Sequence, residues 1–261
     1  MNPFFASAMD APLSFPAVVA LIAGWYLVIP LIVWQKMRPS AAWQMEPYDA
    51  PQHGDVARAS AFLTTNAQPL TDLGFRQVGD LVHRGAMSTT RVAVLTNPDG
   101  MVATIVVMIT NQGSMVQMVE FTAQFTSGTV LDVNNSGALP GFATRADHVV
   151  YRFPEVRDAS RLYRVFQTLL RRDFGSASLV QPDLSDPAAF LKVATEREYR
   201  RQVESGYYRF DQATGRYAQT LKGGYLMAWK LMFPVKQIRR ALLAQRTRDV
   251  LRELGLDSEG R

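Results

Sequence analysis

The hydrophobic rhythm of the chain changes along its length. From Ser14 to Trp34 there is no rhythm at all. The run SFPAVVALIAGWYLVIPLIVW is apolar on every side and holds no charged residue. About 20 such residues cross the hydrocarbon of a bilayer as one helix. Trp25 and Tyr26 fall mid-span, and Trp34 falls at the end, where an interfacial aromatic is expected. Pro16 suits a first turn. Pro30 lies near the last turn, where membrane helices tolerate a kink. A cleaved secretory signal wants a basic stretch ahead of the run. Here Asp10 is the charged side chain that precedes it, and Trp-Gln-Lys-Met closes it, unlike a small-residue cleavage site. A buried core helix is usually shorter. The pattern predicts a single transmembrane helix over 14–35, after a tail of 1–13. Lys36 and Arg38 follow the span, and basic flanks stay cytoplasmic. The expected topology is single-pass in a bacterial inner (cytoplasmic) membrane, with the N-terminus outside and the main domain inside.

Residues 36–54 carry Pro39, Pro47 and Pro51 and read as a linker. Helical spacing begins at Asp55, an N-cap candidate, and runs to about Asn66. A further short turn stops at Gly74. The period then becomes two. Segments 75–85, 89–97, 101–110, 116–126 and 129–135 are rich in Val, Ile, Thr, Phe and Met and are bounded by turn signals, Asn97-Pro98-Asp99-Gly100 the strongest. They predict an antiparallel meander of about five strands. The almost wholly apolar 101–110 should be its centre, and Asn134-Asn135-Ser136-Gly137 should end it.

Helical spacing returns in 155–174, with Val156, Leu162, Val165, Phe166, Leu169 and Leu170 on one stripe. It returns again in 183–206, where Asp186 is placed to cap and Pro187 to take the first position. These helices are expected on one side of the sheet. Residues 207–221 read as a short hairpin around Ala213-Thr214-Gly215. GYLMAWKLMF (224–233) is apolar nearly all round but too short to span, and Pro234 interrupts it. Residues 235–255 are amphipathic and basic. The fold class is therefore α+β. A single transmembrane helix leads, an antiparallel β-meander covered by helices follows over 55–206, and 207–261 adds the hairpin and a membrane-proximal basic helical region.

Charge sharpens the picture of the C-terminal part. The net charge is +5. Basic and acidic side chains balance through 36–211, whereas 212–248 holds eight basic residues and no acidic one. Concentrated charge of this kind points to an anionic partner surface. Tyr225, Trp229, Lys230, Lys236, Arg239 and Arg240 are expected to touch an anionic lipid surface or a membrane partner. Trp25, Tyr26, Trp34, Lys36 and Arg38 are expected to set the depth and contacts of the span. Nucleic acid is not expected, because the aromatics sit in an apolar run rather than alternating with basic residues on a polar sheet face.

Candidate chemistry adds little. The absence of cysteine excludes disulfides, thiolate metal sites and cysteine nucleophiles. His53, His83 and His148 show no metal-ligand spacing, and no phosphate-loop, dinucleotide or nucleophile-elbow motif occurs. No catalytic, cofactor-binding or metal-binding residue is assigned. Glu120 interrupts the strand VQMVEFTAQF. Such a residue usually faces water on the polar side of a strand, and an inward one is a candidate acid. His83 is a weaker candidate at a strand end. The expected role is an accessory or structural subunit binding an integral membrane protein complex, without chemistry of its own. One alternative is a ligand-sensing module with a cavity lined by Met108, Met118, Phe121 and Phe125. A further alternative is a tethered enzyme acting on lipid or envelope substrates.

Overall fold

A computed structural model of the chain describes residues 14–36, 44–85, 88–139 and 145–256. Seven strands form one sheet in chain order: β1 (Met45–Pro47), β2 (Arg76–Arg84), β3 (Ser88–Thr96), β4 (Val102–Thr110), β5 (Met115–Gln124), β6 (Val130–Asn134) and β7 (His148–Arg152). The five strands expected from the period-two pattern are β2–β6, each within two residues of its expected bounds. The count of about five is corrected to seven, and the sheet is not wholly antiparallel: β6 and β7 pair in parallel. β1 was hidden in the linker because three residues carry no measurable period. Its proline lies at the edge of the sheet, where a missing N–H breaks no ladder. β7 is five residues of HVVYR placed between loop segments, and nothing local says which strand it joins.

Helices cover both faces of the sheet rather than one. α2 (Ser60–Asp72) and α3 (Ala159–Phe174) lie on the first face, and α4 (Pro187–Glu204) lies on the second. Asp158 caps α3, accepting a 2.7 Å hydrogen bond from the Arg161 amide. Asp186 caps α4 from the Ala189 amide with Pro187 in the first turn, as the sequence predicts. The first helix differs from expectation. A 3-10 turn over Gly54–Ala59 leads into α2, which continues through Pro69 to Asp72 instead of ending near Asn66.

On the first face, alternate residues Ala103, Ile105, Val107, Val119, Phe121, Ala123, Leu131 and Val133 meet Leu162, Val165, Phe166 and Leu169 of α3. Phe75, Phe121, Tyr163 and Phe166 form an aromatic group with neighbouring ring centroids 5.1–6.0 Å apart. Burying each such large apolar side chain stabilises the fold by roughly 1.5–3 kcal/mol. On the second face, Leu81, Val92, Val94 and Val102 pack under Ala188, Phe190 and Leu191 of α4.

Two further helices follow. After the expected hairpin of β8 (Tyr208–Asp211) and β9 (Arg216–Gln219) come α5 (Leu221–Leu231) and α6 (Val235–Glu253). Among the described residues one helix, α1 (Phe15–Lys36), is long and apolar enough to cross a membrane. α5 packs along it. Trp34 Nε1 donates to the Gln219 carbonyl at 2.9 Å, Tyr225 Oη donates to the Tyr26 carbonyl at 3.3 Å, and the Tyr26 and Trp229 rings lie 5.3 Å apart. Gly223 and Gly224 permit this. A Cβ at 224 would stand 2.6 Å from Trp34 Cβ, and one at 223 would overlap the Tyr207 carbonyl oxygen. The far end of α6 returns to the main core through Leu251, and Thr247 Oγ1 donates to the Arg152 carbonyl at 2.8 Å.

Of the residues expected to contact membrane or partner, Trp25 points outward at 61% exposure. Tyr26 meets Tyr225 and Trp229 across α1 and α5, and Trp34 meets the Gln219 carbonyl and Gly224. Lys230, Lys236 and Arg239 are half-buried, and Arg240 is exposed. Lys36 is the last residue of α1, and Arg38 lies outside the described residues. Gly224, Tyr225 and Trp229 of the apolar block 224–233 therefore pack on α1, while Leu231 and Phe233 are exposed.

Candidate functional site: a cavity between the sheet and α4

On the second face, α4 does not close fully onto the sheet. A cavity of about 350 Å³ lies between them. Val92, Val102, Val106 and Met118 form its floor, and Phe190, Leu191 and Ala194 form its roof. One end is polar. Strand register builds that end in rows. Glu120 lies opposite Asn134, and Thr122 lies opposite Asp132. β7 then adds His148 beside Val130 in parallel register.

The polar side chains are bonded to each other. Asn134 Nδ2 donates to Glu120 Oε2 at 2.8 Å, and Thr122 Oγ1 donates to Asp132 Oδ1 at 2.7 Å. His148 Nε2 lies 2.5 Å from Asp132 Oδ2, and its Nδ1 lies 3.4 Å from Glu198 Oε2 on α4. Gln202 Nε2 donates to the other Glu198 oxygen at 2.6 Å. One imidazole thus ties sheet to helix, with a carboxylate at each ring nitrogen. Outside this bridge, Arg201 pairs with Asp147 at 3.0 Å, and Arg145 pairs with Asp147 and Glu204 at 3.1 and 2.9 Å. These ion pairs clip the loop before β7 to the end of α4.

The electrostatics separate the two central groups. Burial opposes charge on His148, but its hydrogen bonds to Asp132 and Glu198 outweigh burial and push its pKa up to about 10. Burial likewise opposes charge on Glu198, and the His148 bond nevertheless holds its carboxyl below the usual range. Glu120 goes the other way. Burial, reinforced by the negative charge of Asp132, raises it to about 7, against the pull of Asn134, Arg152 and His148. His148 is therefore an imidazolium with both nitrogens engaged, and an imidazolium cannot act as a general base. Glu120 is a carboxyl poised between its two forms in an apolar cavity. It can accept a hydrogen bond or donate one.

The cavity only partly matches the sequence expectation. Met118 lines it. Phe121 and Phe125 face the first side of the sheet, because residues of odd and even number in β5 point to opposite faces. Met108 is half-buried and is not part of the wall. Glu120 is drawn inward, not out to water as such residues usually are. His83 stays at the end of β2, 3.0 Å from the Gln44 carbonyl, and His53 bonds Glu46 and Asp49 far from the cavity lining. Sequence reasoning missed the role of His148 and passed over Asp132 and Glu198. Their sequence spacing carries no motif, and only the β6–β7 register and the packing of α4 bring them together. Among the described residues no group of three or more such side chains is arranged to hold a metal ion. No family model, curated protein or solved structure matches this chain.

Proposed function

We propose that the protein is a membrane-anchored ligand-binding module, taking a small, mainly apolar molecule with a hydrogen-bonding group into the cavity under α4. The observation that carries this reading is the cavity itself: apolar walls, one polar end and a neutral-range carboxyl at Glu120. Ligand sites have this composition and run from roughly 300 to 1,000 Å³, so 350 Å³ suits a small ligand. α1 serves as the anchor, with Lys36 and Arg38 keeping the domain on the cytoplasmic side of the inner membrane. Native mass spectrometry of the full chain, released from mild detergent, tests the reading. The wild type is expected to carry a small molecule, and Ala194→Trp, which fills the roof, is expected to lose it. A bare wild-type mass, or a molecule retained equally by Ala194→Trp, would sink the proposal.

A second reading, an accessory subunit of a larger membrane complex, draws on the outer surface of α1. Most large apolar side chains of α1, Leu21, Trp25, Leu27, Val28, Leu31 and Ile32 among them, are exposed and available to a partner helix. Extraction of C-terminally tagged protein would distinguish the readings. A stoichiometric larger complex supports the subunit role, and a monomer opposes it.

A further inference from the structure

The contacts between α1 and α5 fix their relative direction. Gly224, near the start of α5, sits on Trp34, and Trp229, near its end, sits on Tyr26. α5 therefore runs antiparallel to α1, back along the second half of the span, and α6 returns after the turn at Met232–Pro234. That arrangement carries lysine and arginine alongside an apolar helix. Lys230 is six residues beyond Gly224, about 9 Å further along the axis. Its ammonium does not stay at that level. It folds back over the ring of Tyr207, 5.2 Å from the centroid, and the Tyr207 carbonyl adjoins Gly223 at the level of Trp34. Long basic side chains beside hydrocarbon bend towards the head-group layer in this way.

A second cation meets the first there. Arg239 of α6 lies near enough to act electrostatically on the Lys230 ammonium. Arg239 Nη1 is shielded from solvent and has no hydrogen-bond partner among the described residues. Lys222, also over the Tyr207 ring at 5.9 Å, bonds the Ser205 carbonyl. A shielded guanidinium nitrogen without an acceptor is costly, and two neighbouring cations with no carboxylate acting on Lys230 among the described residues repel. One anion between them relieves both costs. Beside this pair, Leu231, Phe233, Ile238 and Leu242 are each more than half exposed. Polar and apolar surfaces thus adjoin as they do in a phospholipid.

We propose that Lys230 and Arg239 hold the phosphate of one anionic phospholipid, whose acyl chains lie against Leu231, Phe233, Ile238 and Leu242. The inference rests on α1 being a membrane anchor and is independent of the cavity. The full chain would be reconstituted in nanodiscs of equal phosphatidylglycerol and phosphatidylcholine, then released and weighed with its retained lipids. The wild type is expected to keep one phosphatidylglycerol in preference to phosphatidylcholine. Lys230→Gln/Arg239→Gln is expected to lower that preference about 30-fold, two basic contacts being removed. Arg246→Gln/Arg248→Gln, which also removes two exposed charges from the segment, should leave most of the preference in place. Circular dichroism and melting of each variant show that it is folded. Equal retention of the two lipids, or an equal loss in both double variants, overturns the specific site. Occupancy by added inorganic phosphate without any retained lipid overturns the lipid assignment. Failure of the wild type to enter nanodiscs overturns the anchor as well.

Discussion

The two faces of the seven-stranded sheet are made by the same strands, one residue apart, and they are put to different uses. The face under α2 and α3 is dry, with Phe121, Phe166, Leu131 and Leu169 buried in contact. The face under α4 is mostly apolar over β2–β4, where Val92, Val102 and Val106 also floor the cavity. Over β5–β7 it holds Glu120, Asp132 and His148 beside an open cavity. Apolar contact is non-directional and closes wherever volume allows. Charged groups instead need partners at fixed distances, which Asp132 and Glu198 find in His148. One face is a closed core, and the other leaves a cavity with a polar end.

Three substitutions sharpen that contrast. The largest effect is expected on the dry face. Phe121→Ala should cost about 4 kcal/mol of unfolding free energy, as full burial leaves a cavity that cannot collapse. Chemical denaturation measures it, and a loss under 1 kcal/mol would show that this face is not the main core.

The next effect belongs to the bridge. His148→Ala leaves Asp132 and Glu198 facing the cavity without their shared cation and should cost about 3 kcal/mol at pH 7. The folded pKa of His148, about 10, stands above the ordinary 6.5. Its contribution is therefore complete below pH 6.5 and fades as pH rises through about 10. The gap between wild type and variant should narrow over that window. A gap that is constant with pH would refute the ionic bridge.

The smallest effect has the opposite sign. The folded pKa of Glu120 is raised to about 7 from 4.5, so its stabilising protonated form is lost as pH rises between those values. Glu120→Gln retains an acceptor for Asn134 and removes the buried charge. It should gain about 2 kcal/mol at pH 8 and nothing at pH 4. A variant less stable than wild type at pH 8 would mean that the carboxylate is well satisfied where it lies. Stabilisation combined with loss of the bound molecule would identify Glu120 as a residue kept for binding.

How much of this was legible beforehand depended on range. α1 was legible because length and apolarity are local properties. The strands β2–β6, the Asp186 cap and the hairpin after residue 207 were legible for the same reason: period, caps and turns are set by a few adjacent residues. The cavity was half legible. Glu120 stood out as a charge in an apolar strand, yet whether it faced water depended on a helix some seventy residues away covering that side. Phe121 and Phe125 do not share a face with Met118, because alternation along β5 puts odd and even positions on opposite sides.

The sequence by itself determined a membrane-length apolar helix, a run of alternating strands, the helix starts and the placement of excess positive charge in 212–248. Each follows from side-chain chemistry within a few residues. The tertiary structure alone decided that β7 joins β6 in parallel, that α4 meets His148, and that α5 lies along α1. Those pairings join residues 16, 50 and some 190 positions apart, where no local propensity acts. They are fixed by which buried groups find partners once the chain has closed on itself.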